Sequence, residues 1–399
     1  MIQKIIMTGI VLCLAGCGQV ITLLPSNRDF VERPETMTQI PPQITKTKTA
    51  MLLPLSGHTA VVGENFQNAA LMAGLERTTE TTEVSFYDTK GTPAGVLQAY
   101  EDAVHQNPDI IVGPIFASEV QVLQEQEPSI PVLSFTSDTT VLGNHIYSLA
   151  LLIPQQVQRI VRHACINGQR RFALIGPQDK TGGIVVQAFE NAIQECPGMQ
   201  LTHISLYEPQ TNNLTTPVSR IAPPLIDARR KDLTEEEKEI LRNPTADRLS
   251  FDALFVFENG SKLDQLVSIL YYYDITPQII PFYGLATMRQ TQNEQLVGAY
   301  FADVPQNRIN VFRQKYQEAF GKEPLPIASF GYDAVSLISF LSQQNALNEY
   351  ALTDRIGFNG MNGHFRLNEN GTNERLLEIF QKQSHNRIVP VDSAMSGFK

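Results

Sequence analysis

The stretch VSFYDTKGTPAGVLQAYEDAVHQNPDIIVGPIFAS, residues 84–118, decides the fold class. Residues 84–87 have the composition of a strand, residues 93–107 carry helical apolar spacing, and residues 110–112 form another short apolar strand. A strand, a helix and a strand in this order form one unit of a parallel sheet. We therefore predict an α/β protein.

The same alternation extends in both directions along the chain. Upstream, residues 50–55 form a strand and a helix begins at Gly63; downstream, strands follow at residues 131–135 and 146–149. These strands are too many for one core, so we predict two doubly wound parallel-sheet lobes joined by crossing segments. The second series has strands at residues 172–175, 201–206, 253–257 and 278–282, with helices around residues 157–164, 185–192, 309–320 and 334–341.

Two segments interrupt the alternation. Residues 208–250 are polar and rich in proline, and we expect a surface insertion with an exposed helix at residues 232–242. The alternative is that this helix docks on a partner, although a solvated charged face is the commoner explanation. Residues 357–371 (GFNGMNGHFRLNENG) place aromatics between glycines, which is the composition of turns and hairpins.

The amino terminus is predicted to carry a secretion signal. Residues 1–16 combine Lys4 with an apolar run too short to span a bilayer as a helix, as in a cleavable signal peptide. The run ends at Leu14-Ala15-Gly16-Cys17, which resembles the bacterial lipobox, so we expect lipid on Cys17. Gly18 stands where an aspartate would favour the inner membrane, which favours an outer-membrane anchor facing the periplasm. Residues 17–47 are predicted to form a lipidated flexible tether.

Charge and cysteine content bear on the partners and on the covalent structure. The chain has 31 basic and 41 acidic residues with no Lys/Arg cluster, so we expect no nucleic-acid partner. An oxidising periplasm would permit a disulfide between Cys165 and Cys196. Both cysteines lie on apolar helical faces, where buried free cysteine is common, so the sequence leaves the pairing open and slightly favours free thiols.

The sequence contains none of the common catalytic or metal-binding motifs. The histidines form no HExxH pair and the cysteines no CxxC pair, so we expect no metal and no other cofactor. Residues 176–181 (GPQDKT) resemble a phosphate loop faintly, but Asp179 stands where such a loop needs glycine. There is no GxSxG elbow, and the single SxxK match, Ser396 to Lys399, lies at the chain end. We expect a protein that is not an enzyme, with no catalytic residue.

A ligand cleft is expected beyond the carboxyl ends of the strands, where loops lead into helix N-termini. Hydroxyls and backbone amides from the first lobe would suit a carboxylate, and Glu258 in the second could hold an amine. The same residue types are ordinary in strand-to-helix turns, and that interpretation stays open for each of them. The candidates are Ser56, Ala117, Ser118, Ser134, Thr136, Ser137, Thr181, Gly182, Glu258 and Tyr283.

Six stretches together resemble a known family. They are KTAMLLPLSG (48–57), Asp88-Thr89, VGPIFAS (112–118), PVLSFTSD (131–138), PIASFGYDAVSLISFL (326–341) and GFNGMNGHFRLNENG (357–371). The set resembles the type I periplasmic binding fold of the Leu/Ile/Val-binding superfamily. Within it, the set is most similar to the penicillin-binding-protein activator lipoproteins of Gram-negative bacteria. The match covers nearly all of residues 48–391.

The superfamily resemblance implies discontinuous lobes. The first would contain residues 48–150 and 284–356, and the second residues 151–283 and 357–391, followed by a tail at residues 392–399. Amino-acid binders of the superfamily hold the ligand carboxylate with loops equivalent to Ala117-Ser118 and Ser134 to Ser137 of this chain. They hold the ligand amine with an acid at the position equivalent to Glu258. The chain departs from these binders at Thr181-Gly182, where they have an aromatic before the glycine, and it has no tryptophan.

The activator resemblance implies the function that we expect first. The chain would be a non-catalytic outer-membrane lipoprotein that binds a bifunctional penicillin-binding protein and stimulates its transpeptidase, with the membrane as a second partner through the lipid. The better-known activators carry a helical-repeat domain where this chain has a short tether. The alternative is a periplasmic solute-binding protein of an ABC importer or a sensor, whose lobes would close on a small amino-acid-like ligand.

Overall fold

Parallel strands alternate with helices through most of the structure. The computed structural model describes residues 46–76, 82–226, 229–243, 245–394 and 397–398, all within one compact unit, Ile44–Lys399. The signal peptide predicted at residues 1–16, Cys17 and nearly all of the tether predicted at residues 17–47 lie outside the described residues. Within the described ranges, no helix is both long and apolar enough to cross a membrane.

The strands are β1 Thr47–Leu53, β2 Thr82–Asp88, β3 Ile110–Val112, β4 Val132–Ser134, β5 Ile146–Ser148, β6 Arg171–Pro177, β7 Gln200–Tyr207, β8 Ala253–Val256, β9 Phe282–Gly284, β10 Tyr300–Asp303, β11 Phe358–Gly360, β12 Gly363–Leu367, β13 Asn373–Arg375, β14 Glu378–Lys382 and β15 Ile388–Asp392. The helices are α1 Ala60–Glu76, α2 Pro93–Val104, α3 Ala117–Glu125, α4 Ile153–Ile166, α5 Lys180–Ala192, α6 Thr215–Ser219, α7 Glu235–Arg242, α8 Gly260–Tyr272, α9 Gln306–Phe320, α10 Ser329–Gln343 and α11 Glu349–Leu352.

The first sheet joins five parallel strands in the order β2-β1-β3-β4-β5. Strand β1 serves two cores, because Met51 and Leu53 pack with α1 and α10 while Ala50 and Leu52 pack with α2 and α3. A strand covered on both faces must be apolar on both faces. This explains the unbroken apolar run AMLL, and we call this sheet with its helices the first lobe.

The second sheet has seven strands in the order β15-β14-β10-β9-β8-β6-β7. The five strands β6 to β10 are parallel, and β14 and β15 add an antiparallel edge. Helices α4 and α5 cover one face, and α6 and α8 cover the other. This sheet with its helices is the second lobe. The two sheets confirm the predicted α/β class.

Residues 278–304 differ from the prediction in two ways. The strand expected at residues 278–282 begins only at Phe282, because Ile279 and Ile280 donate backbone hydrogen bonds to the Thr276 carbonyl and close a turn there. Residues 284–304 were expected in the first lobe. They lie instead with the second sheet, because β10 pairs with β9 on one side and β14 on the other.

The segment at residues 208–250 is only partly a surface insertion. Leu214, Val218 and Ile221 are buried in the core of the second lobe, because α6 packs against β7 and α8. Helix α7 has no buried residue, which agrees with the exposed charged helix predicted near it.

The glycine-rich segment at residues 357–371 forms hairpin strands, as predicted. Strands β11, β12 and β13 form a small antiparallel sheet. Phe365 and Leu367 from β12 enter the core of the first lobe, although residues 357–391 were expected in the second. The chain therefore returns to the second sheet only between β13 and β14.

A disulfide joins Cys165, near the end of α4, to Cys196, which follows α5, with a Cα–Cα distance of 6.1 Å. The slight preference for two free thiols was therefore wrong. The two cysteines meet because α4 and α5 pack side by side on one face of the second sheet.

Three segments carry the chain between the lobes, at residues 149–152, 304–305 and 376–377. Asp333 and Arg375 are buried at this hinge. Arg375 donates 2.9 Å hydrogen bonds to the carbonyls of Leu149 and Asn362, and Asp333 accepts one of 2.6 Å from the Met361 amide. Burial raises the pKa of Asp333 while the Arg375 charge lowers it, and burial lowers the pKa of Arg375 to about 10.

Candidate functional site

Loops at the carboxyl ends of both parallel sheets carry most of the predicted cleft residues. The first loop follows β1 and contains Ser56, whose hydroxyl donates a 2.5 Å hydrogen bond to Asp88 at the end of β2. Asp88 also accepts backbone N–H groups from Leu55 at 2.8 Å and Lys90 at 2.9 Å. Partial burial alone would raise the pKa of Asp88, but these hydrogen bonds lower it below its usual value. The Ser56 hydroxyl is thus already used inside the first lobe.

Ala117 and Ser118 begin α3, as the sequence suggested. Ala117 is half-buried and Ser118 exposed. The next residue, Glu119, is fully buried and accepts the Phe116 amide at 3.3 Å. Burial raises the pKa of Glu119, and hydrogen bonds from Thr89 and from the backbone of Phe116 and Ile115 lower it in part. The structure therefore adds a buried carboxyl group in the first turn of α3, which the sequence analysis did not identify.

The loop after β4 uses its hydroxyls internally. Ser134 is buried and donates to the Tyr147 carbonyl at 3.1 Å. The hydroxyl of Thr136, also buried, accepts the Asp138 amide at 3.1 Å. Ser137 is exposed. Of these three predicted residues, only Ser137 presents its side chain to solvent.

An ion pair links the two lobes at this loop. Lys180, the first residue of α5, contacts the Asp138 carboxylate with its Nζ atom and donates to the Thr140 hydroxyl at 3.1 Å. Asp138 also accepts the Thr140 amide at 3.0 Å. Partial burial would raise the pKa of Asp138, but the hydrogen bonds from Lys180 and Thr140 and the Lys180 charge lower it. We call this contact the inter-lobe pair.

Thr181 and Gly182 follow Lys180 in the first turn of α5. Asp179 caps this helix by accepting the Gly182 amide at 2.9 Å. A Cβ atom on Gly182 would lie 2.2 Å from the Pro177 carbonyl oxygen, so only glycine fits there. Gly182 therefore has a structural role, and Thr181 is half-buried.

Glu258 follows β8 and is paired within its own lobe. One carboxylate oxygen accepts the Tyr207 hydroxyl at 2.9 Å, and the other accepts the Asn259 amide at 2.9 Å. Burial, with the Glu258 charge and this hydrogen bond, raises the pKa of Tyr207 well above its usual range. A ligand amine at Glu258 would compete with Tyr207.

Tyr283 lies away from the loops. Its side chain is 1% exposed and packs among Phe172 and Tyr300, with ring centroids 5.7 and 5.5 Å away. Its hydroxyl donates to Gln169, just before β6, at 3.3 Å. Burial raises the pKa of Tyr283 well above its usual range. Its place in the middle of β9 turns its side chain into the core, so the structure does not bring it to the cleft.

Sequence reasoning missed the inter-lobe pair although it considered both neighbourhoods. Asp138 directly follows the predicted Ser137, and Lys180 directly precedes the predicted Thr181. Opposite charges beside candidate residues in both lobes were the available signal. In the described part of the chain, no cluster of three or more His, Cys, Asp or Glu residues is arranged to bind a metal ion.

The fold defined by these lobes is that of the type I periplasmic binding proteins. The leucine-binding protein LivK of Thermotoga maritima superposes with a TM-score of 0.60 at 16% identity, over 88% of this chain and 99% of LivK. The C-terminal domain of Haemophilus influenzae LpoA, described as a regulator of PBP1A, superposes with a TM-score of 0.61 at 19% identity, over 86% of this chain and 99% of that domain.

The chain belongs to the LppC putative lipoprotein family, whose profile matches residues 33–384. A curated relative, the penicillin-binding protein activator LpoA of Vibrio vulnificus, is 23% identical over 331 residues. That alignment covers 77% of this chain and 54% of the relative. The chain therefore spans about half the length of the relatives it matches. The predicted family and fold are both confirmed.

Proposed function

We propose that this chain is a non-catalytic regulator of peptidoglycan synthesis that binds a bifunctional penicillin-binding protein and stimulates its transpeptidase. It would act from the outer membrane, anchored through lipid on Cys17 and facing the periplasm. The membership of a putative lipoprotein family and the similarity to a penicillin-binding protein activator support this proposal.

One structural observation favours binding of a protein partner over binding of a small ligand. Some of the polar groups at the cleft are paired with other residues of the chain. The carboxylate of Glu258 accepts the Tyr207 hydroxyl, the Ser56 hydroxyl donates to Asp88, and Lys180 contacts Asp138 between the lobes. Replacing a formed hydrogen bond by a ligand contact gains little free energy. A receptor would instead be expected to keep such groups available.

The direct test is reconstitution with the synthase. The full lipidated chain in detergent is added to a purified bifunctional penicillin-binding protein from the same bacterium, and the cross-linked fraction of the peptidoglycan product is measured. We expect a higher cross-linked fraction, and co-purification of the two proteins. Absence of both effects, with the chain folded by circular dichroism, would contradict the proposal.

A thermal-shift screen with free amino acids and short peptides tests the alternative that the chain is a solute-binding protein. A ligand at 100 times its Kd stabilises a protein by about 2.7 kcal/mol, which is readily detected. We expect no shift. A shift that disappears in Glu258→Ala would support a solute-binding protein, with Glu208→Ala, an exposed acid just after β7, as the matched control.

The lipid anchor is tested by labelled palmitate. We expect incorporation into the natural chain and none into Cys17→Ser. Cys13→Ser changes the single cysteine of the predicted leader, residues 1–16, and should leave the label in place. Label that persists in Cys17→Ser would contradict the anchor and, with it, the proposed membrane location.

A further inference from the structure

Phe398 lies on the outer face of strand β12. Within β12, Phe365 and Leu367 are buried in the core of the first lobe, and His364 and Arg366 alternate with them on the other face. The centroid of the half-buried Phe398 ring lies 4.7 Å from the Arg366 guanidinium and 4.9 Å from the centroid of the His364 ring, which it meets edge to face. Both kinds of contact are favourable. Phe398 is therefore attached to the first lobe.

The same stretch of chain is held to the second lobe a few residues earlier. The Asp392 carboxylate, at the end of β15, lies 2.8 Å from Arg159 and 3.0 Å from His163, both on α4. Arg159 is buried and also donates a 3.1 Å hydrogen bond to the Ser393 carbonyl. Only residues 394–397 separate Ser393 from Phe398 in sequence. A stretch of that length spans at most about 18 Å, so it ties a point on one lobe closely to a point on the other.

The two attachments differ in strength. On the second lobe, Arg159 makes charge-assisted hydrogen bonds, which are about twice as strong as neutral ones. On the first lobe, a single half-buried ring makes the contact. A cation–π contact at an accessible site favours the bound arrangement by roughly two- to fivefold. The Phe398 end is therefore the end that releases.

The surface beneath Phe398 is held in place by other contacts. Arg366 is paired with Glu374 on the neighbouring strand β13 at 2.8 Å. The Nε2 atom of His364 lies 2.8 Å from the Ile356 carbonyl oxygen, at hydrogen-bonding distance. The cation and the ring therefore keep their positions when Phe398 leaves. Because the short connection to Ser393 keeps the Phe398 ring nearby at a high effective concentration, it can bind again.

We propose that Phe398 is a releasable latch between the two lobes. Bound to β12, it adds a connection to the hinge segments and limits how far one lobe rotates against the other. When the ring leaves, this restraint is lost and the outer face of β12 becomes accessible. The latch does not depend on the proposed contact with a synthase.

The first test measures the distance between the lobes in the full chain by pulsed electron resonance. Spin labels are attached at Gln98→Cys on α2 and Gln187→Cys on α5, both exposed positions. We expect Phe398→Ala to broaden the distribution of label distances, and Phe398→Tyr, which keeps the ring, to leave it unchanged. Tyr350→Ala removes an aromatic side chain that is 89% exposed and is the matched control. An unchanged distribution in Phe398→Ala, or equal broadening in Tyr350→Ala, would overturn the proposal.

A second measurement tests the contact itself, in a chain without spin labels. His364→Cys combined with Phe398→Cys should form a disulfide on mild oxidation, detected by peptide mapping, because the two side chains adjoin. Gln98→Cys combined with Phe398→Cys places the first cysteine on α2 and should give no such bond. Failure of the first pair to cross-link, or equal cross-linking of both pairs, would show that Phe398 does not rest on β12.

Discussion

Asp333 and Arg375 are buried charged residues of opposite sign at the hinge, and the Arg375 charge lowers the pKa of Asp333 against the effect of burial. The Arg375 guanidinium lies between the rings of Phe330 and Phe365, 5.2 and 4.7 Å from their centroids. Arg375→Met would leave the Asp333 carboxylate buried without its counter-charge. We expect the free energy of unfolding to fall by about 3–5 kcal/mol, measured by urea denaturation.

Two further variants identify the cause of that loss. Adding Asp333→Asn to Arg375→Met removes the unpaired charge and should recover part of the stability. Arg313→Met breaks an exposed pair with Glu323 at 3.7 Å and should change stability by no more than about 1 kcal/mol. Equal effects of Arg375→Met and Arg313→Met would contradict the assigned role of burial.

The sequence identified candidate residues better than their roles. Ser134 and Thr136 occupy the predicted loop, but their hydroxyls serve neighbouring backbone groups. Tyr283 was expected in the cleft and lies in the core. Lys180 and Asp138 were missed. Which polar group points to which partner depends on distances between loops that are remote in sequence, and no local pattern encodes those distances.

The disulfide between Cys165 and Cys196 links α4 to the segment that follows α5 in the second lobe. Its cysteines are 31 residues apart. Closing a loop of that size lowers the entropy of the unfolded chain, which stabilises the folded protein by about 3–4 kcal/mol. We expect the double variant Cys165→Ser, Cys196→Ser to unfold at lower urea concentration than the oxidised protein.

The reduced natural protein is the matched comparison for that variant. Reduction and the double variant should shift the urea midpoint by similar amounts, because each opens the same loop. A double variant as stable as the oxidised protein would show that the bridge does not contribute to stability.

Whole elements were predicted well where the apolar pattern is continuous. Strand β3 lies at the predicted residues 110–112 because both its faces are buried. Strands β14 and β15 were missed, since they mix polar and apolar residues at an antiparallel edge and follow a segment dominated by turns. Strand β14 pairs with β10 and with β15. These contacts between distant segments cannot be predicted from the local sequence pattern.

Because of the inter-lobe pair, we expect the stability of the whole molecule to depend on pH. The pKa of Asp138 is lower in the folded protein than in the unfolded chain, so the folded state binds its proton less readily. The pair therefore stabilises the molecule fully above the unfolded pKa of about 3.9, and this stabilisation is lost as pH falls through the lower folded value. We expect the free energy of unfolding, measured by urea denaturation, to fall in that acidic range.

Charge reversal tests the same contact at neutral pH. Asp138→Lys places two cations together and should separate the lobes, whereas Asp138→Lys combined with Lys180→Asp should restore the natural radius. Lys180 is 60% exposed, so solvent screens the pair and we expect a coupling energy of no more than about 1 kcal/mol. An unchanged radius in Asp138→Lys would show that the hinge alone sets the separation of the lobes.

The discontinuous construction of the lobes has a consequence for biosynthesis. All strands of the first sheet lie within residues 47–148, but α10, which covers Met51, Leu53 and Phe66, begins only at Ser329. At ribosomal rates of about 5–20 residues per second, the intervening chain takes roughly 10–40 s to emerge. For that interval the apolar face that includes Met51, Leu53 and Phe66 lacks the helix that covers it in the folded protein.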